Sequence, residues 1–200
     1  LSEDTGVTVF CDSVRLLAER LSSHERNVLF HITGVGGESQ LRALQGSFDQ
    51  GKVRIIWRKN LPPDEYLGEL RKCHAALSLR VPGSSMAETT FPSKIVEITG
   101  NGLLLITTRV SDVPLLFDEN NAVLLDELSA HMVVEGIMEI LNDLDGMRIR
   151  AFRGHRRAAE LFGELGVGER LISFVGINVG RGSDHQIVNP HNKQIGGISS

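Results

Sequence analysis

Apolar residues recur at three- and four-residue steps over residues 7–22, where Val7, Phe10, Val14, Leu17 and Leu21 share one face of a predicted helix. Asp4 or Thr5 can cap its start. Residues 28–33, Val-Leu-Phe-His-Ile-Thr, form a short apolar run without strict alternation, which suits a strand buried on both faces. The run ends in Gly34-Val35-Gly36-Gly37, a turn that few residues other than glycine could make. Leu41, Leu44 and Phe48 mark a second helix, and residues 53–57 a second strand. Pro62-Pro63-Asp64 opens a helix that carries Tyr66, Leu67 and Leu70 inward. Residues 75–81 read as a strand, and Pro92 or Ser93 opens a helix with Ile95 and Val96 inward. Strands follow at 103–107 and 122–125, then helices at 129–143 and 146–163.

Strand and helix thus alternate about five times, and the strands lack polar alternation. The pattern predicts an α/β fold: one doubly wound, mainly parallel, Rossmann-like sheet with helices on both faces, over residues 1–175. In such sheets ligands bind beyond the carboxyl ends of the strands. The informative loops are therefore 34–38, 58–62, 82–92 and 108–114. From Gly176 onward Gly, Asn, Ser and His dominate, so 176–200 reads as a tail, a linker or the start of another segment.

Composition narrows the function classes. The chain has 200 residues, 41% hydrophobic and 23% charged, with a net charge of −4, which fits an ordinary soluble domain and argues against a general nucleic-acid binder. No apolar run approaches the roughly 20 residues of a membrane span. The two cysteines, Cys11 and Cys73, are too few for a disulfide scaffold, and no signal sequence is visible, so a reducing cytoplasm is the expected location. The 21 glycines and the low aromatic content of 5% suit a fold that brings backbone close to a ligand. The histidines show no metal-ligand spacing, and neither a metal nor a cofactor is predicted.

The segment richest in chemistry runs from Glu88 to Thr108. It reads loop, helix, glycine, strand, with Glu88-Thr89-Thr90-Phe91-Pro92-Ser93-Lys94 ahead of Glu97 and Gly102. Free N–H groups at Ser93 and Lys94, the helix dipole, the Ser93 hydroxyl and the Lys94 ammonium together suit an anion. Glu97 lies one turn on, roughly 6 Å up the helix axis. A carboxylate there suits a diol, and a nucleoside diphosphate would engage both features.

In this register the chain resembles the C-terminal, donor-binding half of GT-B glycosyltransferases, closest to the retaining family-four type. The resemblance rests on Phe91-Pro92, Glu97, Gly102 and Leu105-Ile106-Thr107-Thr108, and extends over about residues 6–165. It implies that Glu97 binds the donor ribose and that backbone around Phe91, Pro92, Ser93 and Lys94 binds the pyrophosphate. Arg58, Lys59 and Asn60 would lie beside the nucleobase, and Gly34 and Gly36 in the glycine turn at the same edge. It further implies a nucleotide-sugar donor without a bound metal, and an acceptor-binding N-terminal domain upstream or on a partner chain; the mild acidity already argues for no nucleic-acid partner. The catalytic residue is not assigned.

The chain departs from the family's pattern at several points. Thr89 stands where the first carboxylate of a pair belongs, with Glu88 one position early. Ser111 and Asp112 replace two glycines, and Leu115 replaces a carboxylate. A lysine expected at position 5 is Thr5, and its companion arginine and the first, central strand would precede Leu1. That strand would lie upstream, on a partner, or be replaced by Leu171–Gly176. These departures keep open an alternative, a degenerate non-catalytic interaction module. Arg148, Arg150, Arg153, Arg156 and Arg157 form one basic cluster, read as a solvated helix face, with docking to a domain or to anionic lipid as the weaker reading.

Overall fold

The computed structural model describes residues 6–174. Asp4, Thr5 and the segment from 176 onward lie outside those residues. The elements are α1 (Val7–Arg20), a 3-10 turn (Leu21–Ser23), β1 (Val28–Thr33), α2 (Glu38–Ser47), β2 (Val53–Arg58), α3 (Pro63–Leu70) and β3 (Ala75–Ser78). They continue with α4 (Ser85–Thr89), α5 (Lys94–Gly100), β4 (Leu104–Thr108), α6 (Val113–Leu116), β5 (Val123–Leu125), α7 (Ala130–Asn142), α8 (Leu144–Phe162) and α9 (Glu164–Phe174). The alternation read from the sequence is the alternation observed. Two details differ: the third strand stops at Ser78 rather than 81, and α4, α6 and α9 are additional helices.

Every strand pair is parallel, but the sheet is in two pieces. β1 pairs with β2, and β3, β4 and β5 pair in that order. Alternate residues of β1 bond to β2, from the Val28 N–H (to Lys52 O, 2.8 Å) to the Gly34 N–H (to Arg58 O, 3.4 Å). The N–H and C=O groups of Leu29, His31 and Thr33 therefore point to the other edge. On β3, the Leu104 N–H bonds to His74 O at 3.1 Å, so Ala75 and Leu77 likewise direct theirs away from β4. The break falls between β1 and β3, where the family resemblance expects its first strand. Of Leu171–Gly176, the candidate for that strand, Leu171 to Phe174 belong instead to α9, and Val175 and Gly176 lie outside the described residues.

One core cluster bridges the two pieces. It joins Val7, Cys11, Val14 and Leu17 of α1 to Val53 and Ile55 of β2, Leu104 and Ile106 of β4, Val123 and Leu125 of β5, and the inner face of α7. The opposite face carries a smaller cluster built from Leu70, Ile95, Ile98, Leu105, Val113 and Phe117, which draws on β3, β4 and β5 but on neither β1 nor β2. α1 begins at Gly6 in a left-handed conformation (φ 68°), and a Cβ there would meet Leu128 at 3.2 Å and Leu79 Cβ at 3.4 Å. Glycine thus satisfies both the backbone and the close approach of α1 to the end of β3.

Candidate functional site

Because all strands run parallel, their carboxyl ends share one edge, and the predicted residues fall there in two groups. The first is built on α5. Glu97 is part-buried and accepts a hydrogen bond from the Tyr66 hydroxyl of α3 at 3.0 Å. Burial above all, then the bond to Glu97, pushes the Tyr66 phenol up to about 12, so it remains a donor at neutral pH. A carboxylate offers about four acceptor positions, so this bond leaves Glu97 able to take a diol. Tyr66 was placed inward by the sequence pattern but not assigned to the site. Its spacing with Leu70 marks a core-facing helix position and says nothing of its hydroxyl.

The approach to α5 is anchored from below. Phe91 packs its ring against Phe162 (centroids 5.7 Å apart), and Pro92 is buried, so both side chains are taken up by packing. Ser93 has helical φ and ψ and makes no side-chain cap bond, so its hydroxyl is not used as a cap. The Ile95 N–H bonds to Pro92 O at 2.9 Å, and those of Val96 and Glu97 bond to Ser93 O. The N–H groups of Ser93 and Lys94 precede this ladder. Both side chains are exposed, and Lys94 makes no ion pair among the described residues. Glu88 is exposed on α4, and Thr89 ends that helix.

The second group lies at the ends of β1 and β2. Gly34 and Gly36 adopt φ 117° and 93°, and the Trp57 indole N–H donates to Gly34 O at 3.4 Å. Lys59 pairs with Glu38 at the start of α2. Arg58 pairs with Glu69 of α3 at 3.2 Å. Glu69 is 6% exposed and also meets His31 Nδ1 (2.8 Å) and Lys72 Nζ (2.7 Å). The Lys72 hydrogen bond, followed by Arg58 and His31, holds its carboxyl below the usual range against the opposing pull of burial. Arg58 and Lys59 are thus both paired. Among the described residues no hydrogen bond or ion pair joins this group to Glu97.

The departures from the family pattern have structural consequences. Ser111 takes the left-handed conformation (φ 51°) that a glycine would adopt without strain. Leu115 is 77% exposed. The arginines of α8 are largely engaged: Arg150 pairs with Glu139 and donates to Ala122 O, and Arg157 Nε donates to Leu116 O at 3.0 Å. Two cavities of about 450 Å³ flank α8, away from the carboxyl edge, one lined by His74 and Gly102 and the other by Glu119 and Arg153. Among the described residues no cluster of His, Cys, Asp or Glu suits a metal, and no helix is long and apolar enough to cross a membrane.

A parallel α/β sheet with a carboxylate and helix-terminal N–H groups at its carboxyl edge is a Rossmann-like arrangement, and the comparisons give its class as a half-domain of the GT-B type. Residues 12–160 match the glycosyl transferase-like family, and the chain belongs to that family. No curated protein matches the sequence. Among solved structures, it is similar to the C-terminal domain of the group 1 glycosyl transferase LpcC from Francisella tularensis (TM-score 0.63, 11% identity, covering 82% of this chain and 83% of that one). It is also similar to Anabaena HepE, solved with UDP and glucose (0.61, 15%, 88% and 46%), and to sucrose-phosphate synthase from Thermosynechococcus elongatus (0.62, 14%, 88% and 42%). The chain therefore spans less than half of the latter two proteins.

Proposed function

We propose that this chain is the donor-binding half of a glycosyltransferase that takes its sugar from a nucleoside diphosphate. Glu97 accepts from the ribose diol. The N–H groups and ammonium at Ser93 and Lys94, with the backbone of Phe91 and Pro92, hold the diphosphate. Gly34, Gly36, Arg58 and Lys59 border the nucleobase, and Glu88 and Thr89 complete the donor site. The reaction is glycosyl transfer, with retention, through an oxocarbenium-like transition state. This half stabilises the departing diphosphate, and a separate acceptor-binding half supplies the other substrate. Residues 1–175 form the donor-binding unit.

The observation that carries the reading is the Tyr66–Glu97 pair, a carboxylate fixed one turn beyond uncapped helix N–H groups. The family membership and the UDP complexes of HepE support it. Thermal denaturation with UDP, GDP and ADP and their glucose conjugates tests it. A ligand at about a hundred times its dissociation constant adds roughly 2.7 kcal/mol, a shift of several degrees. At least one diphosphate is expected to give that shift, and Glu97→Ala to remove it. No shift with any of them at millimolar concentration overturns the reading in favour of a non-catalytic interaction module.

A further inference from the structure

Burying a charged group without a partner is costly, so a buried guanidinium nitrogen left unbonded marks a place where an anion is wanted. Two such atoms occur among the described residues, Arg80 Nη1 and Arg150 Nε. Arg150 is otherwise well served, with Glu139 and the Ala122 carbonyl on its other nitrogens. Arg80 is different. No hydrogen bond or ion pair of its guanidinium is found among the described residues. Its backbone, by contrast, is fixed twice by one side chain: the Thr108 hydroxyl accepts from the Arg80 N–H (3.1 Å) and donates to the Arg80 carbonyl (2.9 Å). An arginine with a pinned backbone and an unsatisfied head is positioned without being used within the chain.

Its place in the fold says what it meets. Arg80 lies two residues beyond the end of β3, on the carboxyl edge where the ligand site falls. Its neighbour Leu79 packs against Gly6, the residue that opens α1. Gly6 offers no side-chain cap, so the first N–H groups of α1 add positive potential at the same corner. The family resemblance implies a basic pair at this start of α1, and position 5 holds threonine instead.

We infer that Arg80 is an anion-binding residue of the donor site, which grips the diphosphate from the β3 side with its guanidinium while Ser93 and Lys94 approach it from α5. A planar fork of donors suits phosphate oxygens, and its permanent charge makes the contact independent of pH over the working range. The inference rests on the proposed donor-binding function, to which it adds a second cation beside Lys94.

The test titrates the wild-type chain, Arg80→Met and Arg80→Lys with inorganic pyrophosphate, with the tightest binder among UDP, GDP and ADP, and with the matching nucleoside. Melting of each ligand-free protein is recorded alongside. Arg80→Met is expected to weaken pyrophosphate and the diphosphate by about tenfold or more and to leave the nucleoside unchanged, as loss of a charge-assisted hydrogen bond implies. Free of ligand, it should melt at or above wild type, since a buried guanidinium nitrogen with no hydrogen-bond partner has been removed. Arg80→Lys should fall between the two in affinity.

Wild-type pyrophosphate affinity in Arg80→Met overturns the inference. So does an Arg80→Met protein that melts well below wild type and loses the nucleoside together with the diphosphate, which is the mark of a structural arginine. A wild-type chain that binds pyrophosphate but discriminates no nucleotide overturns the donor reading instead, and leaves Arg80 judged on pyrophosphate alone.

Discussion

β4 and β1 are both short apolar strands, yet they end in different environments. All five residues of β4 are buried between β3 and β5, whereas no residue of β1 is fully buried and Leu29 is 44% exposed. The difference does not lie in residue type. It lies in neighbours: β4 is paired on both edges, and β1 on one. The carboxyl edge inherits the same division. Glu97 and Tyr66 belong to the closed, three-stranded piece and are mutually fixed. Gly34, Arg58 and Lys59 belong to the open piece, where the cations are tied to Glu69 and Glu38. The part of the proposed donor site that is already fixed within the chain is therefore the Glu97 part. The group proposed to border the nucleobase lies beside the open edge of β1, which pairs only with β2 among the described strands; proteins do not usually leave so long an edge uncovered.

The largest consequence is in stability. Leu105→Ala, in the closed piece, is expected to cost about 2–5 kcal/mol in urea denaturation, as truncation of a fully buried leucine does. Leu29→Ala, at the open edge, should change stability by no more than about 0.5 kcal/mol. Equal costs would break the comparison.

A smaller effect sharpens it. Tyr66 is the only tyrosine of the chain, so its phenolate absorbance reports one group. Its ionisation should have a midpoint near 12. Because the folded value is raised, the stabilisation this phenol contributes is complete below the ordinary tyrosine range near 10. It is lost only as pH climbs through about 12. Glu97→Gln should bring the midpoint down towards the ordinary value, because it removes the carboxylate while leaving the burial. A midpoint near 10 in the wild-type chain would show that Tyr66 and Glu97 are not held together.

Much of this was legible in the sequence. Apolar runs located β1, β2, β4 and β5 to within a residue or two, because a buried parallel strand leaves few polar positions. The end of β3 was not legible. Arg80 looked like strand because it sits between Leu79 and Val81, but its N–H bonds to a threonine hydroxyl rather than to a strand carbonyl. α4 and α6 are too short for any helical period to show. In the candidate site, Glu97 was singled out by its spacing from Pro92 and Gly102. Its partner Tyr66 was not, since a side chain that is mostly hydrophobe reads as core. Glu69 was hidden for the opposite reason: a carboxylate beside Leu70 reads as surface. The i,i+3 spacing to Lys72 was the one available hint of an ion pair. Its burial arises only when Arg58 and His31 arrive from two different strands.

The central claim is that Glu97 is a pre-formed receptor for a ribose diol. Calorimetric titration with the tightest-binding nucleoside diphosphate and with its 2′,3′-dideoxy counterpart tests it most directly. Loss of the two hydroxyls is expected to weaken binding by at least about tenfold in the wild-type chain, the scale of hydrogen bonds to a charged group. In Glu97→Ala the two ligands should bind alike. Equal affinity of the wild-type chain for the two ligands would contradict the account.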